Sequence, residues 1–211
     1  TLHWGGDVRA LQLYQDTKQV RRYAFFPMQL DIEPTVTYGR WVMDATLGYT
    51  KQRSEDVSDS QFISRRHWVL FQANDTWSVR GGRFFPQFGW NIPDHFRMGR
   101  RNMGFDQGRE TYNLEVQRRT EFYEAAATFV FQRAQNHELT NASGGTFVAR
   151  FPLGDHQIGA HLLYLDEEEQ VRKAAAVTTF IKISDSLFSM NEFILQKQTT
   201  PGRVVDSTIL T

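Results

Sequence analysis

The stretch that decides the fold is QLDIEPTVTYGRWVMDATLGYT, residues 29–50. Apolar and polar side chains alternate from Leu30 to Tyr38, and after the turn at Gly39 the same period of two continues from Trp41. Such alternation indicates a β-strand with one apolar and one polar face, and a Gly between two such runs indicates a tight turn. Residues 29–50 are therefore predicted to form a β-hairpin.

The same pattern recurs along the chain. Further pairs of alternating segments are predicted to turn at Asn74 and Asp75, near Arg118 and Arg119, at Gly154 and Asp155, and at Ser184 and Asp185. Asn, Asp, Gly and Ser are the residues that tolerate tight turns. One strand is expected before the first hairpin, in DVRALQLY, and another in VVDSTIL. The prediction is an all-β, up-and-down antiparallel structure of about 11–12 strands.

The connections between strands are expected to be unequal. Tight turns alternate with longer polar stretches, namely QDTKQVRRY, KQRSEDVSDSQFISRR, the long segment after Phe84, RAQNHELTNASGG and DEEEQVRK. In an up-and-down structure this places all tight turns at one end and all long loops at the other. That layout is typical of bacterial outer-membrane barrels.

The two faces of the predicted strands differ in kind. The polar face carries Asp31, Glu33, Asp44, Arg80, Glu115, Glu124, Arg150 and His161. The apolar face carries large residues, among them Trp41, Met43, Leu47, Trp77, Leu114, Val116, Tyr123, Phe129, Phe131, Phe147, Phe151, Ile158 and Leu162. Because ten or more strands enclose a wide lumen, the polar face is predicted to line that lumen and the apolar face to contact lipid. The alternative is a soluble up-and-down structure with its apolar face turned inward.

In this pattern the chain resembles the porin-like β-barrels of the Gram-negative outer membrane, and VRGGRFFPQFG, residues 79–89, resembles the step from strand to loop in such barrels. The resemblance implies an outer-membrane location, an even number of strands, periplasmic tight turns, external loops and a terminal aromatic strand. The chain ends in VVDSTILT without such an aromatic. We therefore expect residues 1–211 to be a single barrel domain that is part of a longer barrel, with a long loop at residues 85–111.

Composition excludes several other classes. The 24 basic and 24 acidic residues give no net charge and hence no reason to expect nucleic acid as a partner. There is no Cys for a disulfide or thiolate site, and the six histidines lack metal-ligand spacing, so neither a metal nor a cofactor is expected. The sequence contains no run of 18 apolar residues, so no membrane helix is predicted. Its N-terminus shows no signal-peptide pattern.

The long loop concentrates charge, Gly and aromatic residues. Its charged side chains are Asp94, Arg97, Arg100, Arg101, Asp106, Arg109 and Glu110. A loop of this length is usually functional or disordered, and its many aromatics argue against disorder. It is expected either to fold into the lumen, where opposed charges set ion preference, or to project outward as a docking surface for a partner. Inward folding is favoured.

Three functions agree with these features. The leading hypothesis is a channel that lets small hydrophilic solutes or ions diffuse through a lumen of mixed charge. One alternative is a structural barrel that anchors or encloses a partner protein in an envelope complex, and another is a hydrolase at the outer rim that uses Asp94 and His95. A protein partner or a homo-oligomer is expected besides the outer-membrane lipid. Adjacent loop residues rarely point at one atom, and a hydrolase also needs a positioned nucleophile or water. The chain is therefore expected not to be an enzyme.

Overall fold

The computed structural model describes residues 1–16, 21–53, 58–90, 110–135 and 138–210. Twelve strands occur in these ranges: β1 Leu2–Asp16, β2 Arg21–Tyr38, β3 Trp41–Arg53, β4 Ser58–Gln72, β5 Trp77–Phe84, β6 Thr111–Arg119, β7 Glu124–Gln135, β8 Glu138–Leu153, β9 His156–Glu167, β10 Gln170–Ser184, β11 Leu187–Thr200 and β12 Arg203–Leu210. Their order in the sheet follows the chain. The predicted all-β, up-and-down antiparallel fold is confirmed, as is the larger of the two strand numbers.

The chain divides into two compact units. The N-terminal unit, residues 1–69, contains β1 to β3 and most of β4, and the C-terminal unit, residues 70–211, contains the rest. Within each unit the strands pair antiparallel with their neighbours in sequence, as β1 does with β2 and β9 with β10. The interpretation of residues 1–211 as a single barrel domain stays a prediction.

Several connections are shorter than the sequence indicated. β9 and β10 are separated only by Glu168 and Glu169, and β7 and β8 only by residues 136–137. Most of DEEEQVRK and RAQNHELTNASGG is therefore strand, so the expected alternation of short and long connections is wrong there. The physical reason is that backbone pairing continues where the strand carries polar side chains on both faces, and the period-two signal disappears. Of the predicted loop at residues 85–111, residues 91–109 lie outside the described residues.

Side chains close the tight turns. Asn74 Oδ1 accepts hydrogen bonds from the backbone N of Thr76 at 2.9 Å and of Trp77 at 2.9 Å, between β4 and β5. Thr120 Oγ1 accepts from the backbone N of Tyr123 at 3.1 Å, so the turn predicted near Arg118 begins one residue after β6 ends. Such bonds to the turn backbone explain why short polar residues lie at these positions.

The two faces of the C-terminal unit are the reverse of those of a water-soluble protein. Cross-strand neighbours on one face are Phe147, Leu162, Ala175 and Leu195, and all four are exposed. The face behind them is buried and includes Glu115, His161 and Glu192, each less than 4% exposed. Apolar side chains outside and ionisable ones inside are expected of a sheet whose outer face contacts lipid. We call these the exposed face and the buried face.

No helix long and apolar enough to cross a membrane occurs among the residues that the structure describes.

Candidate functional site

The segment after β5, residues 85–90, lies on the buried face of the C-terminal unit. Its polar atoms bond in turn to side chains or backbone of β6, β8, β9 and β11, namely Glu115, Arg150, His161, Asn191 and Glu192. The beginning of the long loop therefore crosses the sheet from β5 towards β11. We call residues 85–90 the crossing segment.

Glu115 is the centre of the first contact. Arg80 Nη2 donates to Glu115 Oε1 at 2.8 Å, and Thr128 Oγ1 donates to Oε2 at 2.9 Å. Gln87 Nε2, from the crossing segment, also donates to Oε1 at 3.3 Å. The Glu115 side chain is 2% exposed, and a buried carboxylate is tolerated only when it is paired and hydrogen-bonded. These three donors meet that condition and connect β5, β6 and β7 to the loop.

Arg150 on β8 makes the second contact. Its Nη1 donates to Gln87 Oε1 at 3.1 Å and to Glu124 Oε1 on β7 at 3.3 Å. Gln117 Nε2 donates to the same Glu124 oxygen at 2.7 Å. Gln87 thus bridges Glu115 and Arg150, two side chains of opposite charge, through the two ends of its amide. Arg150 and Glu124 keep 13% and 21% side-chain exposure, so these charges are only partly covered.

His161 on β9 makes the third contact. The backbone N–H of Gly89 donates to His161 Nδ1 at 3.1 Å, and His161 Nε2 lies 2.9 Å from Thr178 Oγ1 on β10. Since Nδ1 accepts, the ring is neutral with its proton on Nε2, which then donates to the Thr178 hydroxyl. The Phe88 ring meets the imidazole edge-on with 5.9 Å between centroids. His161 therefore acts in this structure as an acceptor that holds the crossing segment.

Glu192 and Asn191 on β11 make the last contact. The backbone N of Trp90 donates to Glu192 Oε1 at 3.1 Å, and its indole Nε1 donates to the Asn191 carbonyl at 3.0 Å. Gly89 has φ +61, and a Cβ at that position would overlap the Glu192 carboxylate. Gly is needed there both for the left-handed backbone and for the close approach.

An apolar cluster supports these polar bonds. Phe88 is 4% exposed and packs on the buried face against Leu163, Leu165, Ala174, Ala176 and Ile194, with Phe85 at its edge. Burying a Phe side chain contributes about 2 kcal/mol. The crossing segment is therefore held by its aromatic side chains as well as by its hydrogen bonds.

The polar-face residues predicted from sequence all lie on buried or half-buried positions. In the N-terminal unit Asp31 is buried, and Arg66 pairs with Asp44 at 3.0 Å and with Glu33 at 3.9 Å. In the C-terminal unit, Arg80, Glu115, Glu124 and Arg150 come together around Gln87, whereas His161 joins the separate contact with Gly89. Their role in lining a pore stays a prediction.

Of the charged residues predicted as loop sites, only Glu110 lies in the part of the chain that the structure describes. It is 3% exposed and accepts from Arg83 Nη2 at 3.1 Å, which joins the end of the loop to β5. The other predicted loop charges lie outside the described residues: Asp94, Arg97, Arg100, Arg101, Asp106 and Arg109.

Sequence reasoning missed Gln87, Gly89 and Glu192. Gln87 stood in a segment without periodicity, and Glu192 stood in LFSMNEFILQ, where the alternation is blurred. Gly89 was named only for its place in the motif of residues 79–89. A Gly directly after an apolar residue at the start of a loop was the available signal, because close approach often requires Gly.

No family model matches the chain, and no curated protein matches it. Among solved structures it resembles OmpT, an outer membrane protein of Vibrio cholerae, in a mutant without loop L8 and in an in-vitro folded form. Both are 13% identical to this chain, with a TM-score of 0.47. The alignment with the mutant covers 100% of this chain and 86% of the mutant. The alignment with the in-vitro folded form covers 99% of this chain and 80% of that form. Both are outer-membrane proteins, the class and location predicted from the sequence. A likeness of this size carries no argument, so the proposals below rest on the two faces of the sheet.

The expectation that the chain is not an enzyme is corrected. OmpT is among the solved structures that resemble the chain, and a likeness of this size to outer-membrane proteins does not exclude an enzyme, so the hydrolase alternative stays open. Asp94 and His95, on which that alternative rests, lie outside the described residues. Within the described ranges, no three His, Asp or Glu side chains gather as a metal site.

Proposed function

We propose that the protein is an outer-membrane β-barrel channel for small hydrophilic solutes or ions, and that the crossing segment narrows its lumen. The observation that carries this proposal is the pair of opposed faces, with apolar side chains exposed and the ionisable groups around Gln87 on the buried side. Charged residues at membrane depth occur where they face a water-filled cavity or the interior of the protein. Paired acidic and basic side chains at such a position set the ion preference of a pore.

The crossing segment has the contacts that a constriction needs. It is hydrogen-bonded to four strands, β6, β8, β9 and β11. Gln87 lies between Glu115 and Arg150, so the segment and the strands together form one polar surface that carries both positive and negative side chains. Because the partly exposed Glu124 and Arg150 belong to this surface, solutes that pass would meet one carboxylate and one guanidinium at the same depth.

The test is conductance in a planar lipid bilayer. The purified protein is expected to give discrete current steps, and a bilayer that stays closed with correctly folded protein would contradict the proposal. In a salt gradient, Glu124→Gln should move the reversal potential towards anion preference, since it removes a negative charge beside Arg150. Glu121→Gln is the matched control, because Glu121 is exposed in the turn between β6 and β7. Equal reversal potentials for the two variants would show that Glu124 does not line the pore.

A second candidate is a structural barrel that anchors or encloses a partner protein. It is favoured by the apolar part of the buried face, where Leu163, Leu165 and Ile194 pack against Phe88, because a solvated pore has no need of that surface. Purification in a native detergent should then recover a stoichiometric partner. A monodisperse protein without a partner would count against this candidate and would leave the channel proposal intact.

A further inference from the structure

One row of the exposed face carries two lysines directly opposite each other. Tyr164 on β9, Lys173 on β10, Lys197 on β11 and Asp206 on β12 are successive partners in register, and all four are exposed. Within the described part of the chain neither lysine forms an ion pair. The Lys173 ammonium lies 5.5 Å from the centre of the Tyr164 ring. Exposed Asp166 lies on the same face two residues beyond Tyr164, and the neighbouring row towards the middle of the strands, Phe147, Leu162, Ala175 and Leu195, is apolar.

Two like charges opposite each other on neighbouring strands repel, because their Cβ atoms are only about 4.5–5.5 Å apart. Asp206 faces Lys197 from the other side and offsets one of the two charges. The row therefore keeps a net positive charge. An anion placed between the ammonium groups of Lys173 and Lys197 would replace this repulsion by two attractions.

An apolar groove lies beside this row. Its volume is about 980 Å³, and it extends along the exposed face between the lysine row and the next row, which contains Phe147, Leu162, Ala175 and Leu195. Small residues give it depth, because Gly145 separates Phe129 from Tyr164 and Ala175 separates Leu162 from Leu195. The groove and the two cations together match an amphiphile with an anionic head and an apolar tail.

The position of the lysine row along β10 and β11 indicates which leaflet of the membrane it faces. Lys173 lies three residues from the start of β10 and Lys197 three from the end of β11, so both are at the sheet end that also carries the long loop between β5 and β6. Long loops of outer-membrane barrels are external. The lysines are therefore expected in the outer leaflet, at the depth where head groups begin.

We propose that this groove binds one phosphate-bearing glycolipid of the outer leaflet. Its phosphate lies between Lys173 Nζ and Lys197 Nζ, since Lys binds phosphate as a point charge, and one acyl chain follows Leu162, Ala175 and Leu195. The Tyr164 ring holds the Lys173 side chain in position through the cation–π contact. The proposal rests on the membrane placement stated under Proposed function but not on the conduction of solutes.

The probe is lipid A with both phosphates, added to the full chain in detergent and followed by native mass spectrometry. One lipid is expected to bind per protein, and the double variant Lys173→Gln, Lys197→Gln should raise its Kd about 30-fold. Lipid A without phosphates should bind the wild-type protein as weakly as the double variant binds the phosphorylated form. The control is Lys182→Gln, because that lysine lies near the opposite end of β10 and already pairs with Asp155 and Asp185.

Three results would overturn the proposal: equal affinity of the wild-type protein and the double variant, an equal loss in Lys182→Gln, or equal binding of the phosphorylated and the phosphate-free lipid. Inorganic phosphate that binds as tightly as the lipid would also overturn it, because the groove would then contribute nothing. A heat-dependent shift on gels verifies that each variant is folded. The double variant should still give current steps in a bilayer, so failure of lipid binding and failure of the channel proposal are distinguishable.

Discussion

The replacement of Gly89 by Ala is the sharpest test of the crossing segment. Gly89 has φ +61, and an added Cβ would overlap the carboxylate of Glu192. That carboxylate accepts the hydrogen bond from the Trp90 backbone, and the Gly89 N–H donates to His161. Ala at this position should therefore release the segment from β9 and β11.

The size of the effect follows from comparison with Gly154→Ala. Gly154 has φ +66 and open space around its Cβ position, so its replacement introduces a left-handed strain of about 1–2 kcal/mol in a turn that does not touch the crossing segment. Gly89→Ala should lose a hydrogen bond to a charged group, about 2 kcal/mol, and a neutral one, about 1 kcal/mol. These two bonds alone, about 3 kcal/mol, correspond to a roughly 100-fold larger population of the released state.

Amide hydrogen exchange at Trp90 measures that population. The Trp90 N–H is bonded to Glu192 while the segment is in place, so its exchange should track the released fraction when opening is fast. We expect this amide to exchange at least about 100-fold faster in folded Gly89→Ala protein than in Gly154→Ala. Equal rates in the two variants would show that the bonds to His161 and Glu192 do not hold the loop, and the reasoning would be refuted.

Two further predictions concern the exposed face and the outer rim. Leu162→Arg, in the middle of β9 at 57% exposure, should lower the free energy of unfolding from lipid vesicles by about 2–4 kcal/mol. Leu153→Arg, at 58% exposure beside a tight turn, should lower it by about 1 kcal/mol or less. Urea titration compares the two variants, and equal losses would show that the exposed face does not contact lipid. His95→Ala should abolish any hydrolysis of peptide or ester substrates by the purified protein, and activity that survives the substitution would assign the chemistry to other residues.

The faces of the strands were predictable, and the contacts across the sheet were not. Alternation is a local property, so Leu162 and His161 could be assigned to opposite faces from their neighbours alone. The bonds of Gln87 to Glu115 and Arg150 depend on where the loop crosses, and no periodicity encodes that path. The connections around Glu168 were predicted too long because polar residues on both faces conceal the end of a strand.

The pairing of each strand with its sequence neighbour has a consequence for how the protein can change. The connection from β5 to β6 begins with residues 85–90, which bond to β6, β8, β9 and β11. Each doubling of a loop's length adds only about 0.6 kcal/mol of closure entropy. Insertions after Trp90 should therefore change the stability of the sheet little, provided that residues 85–90 keep these bonds.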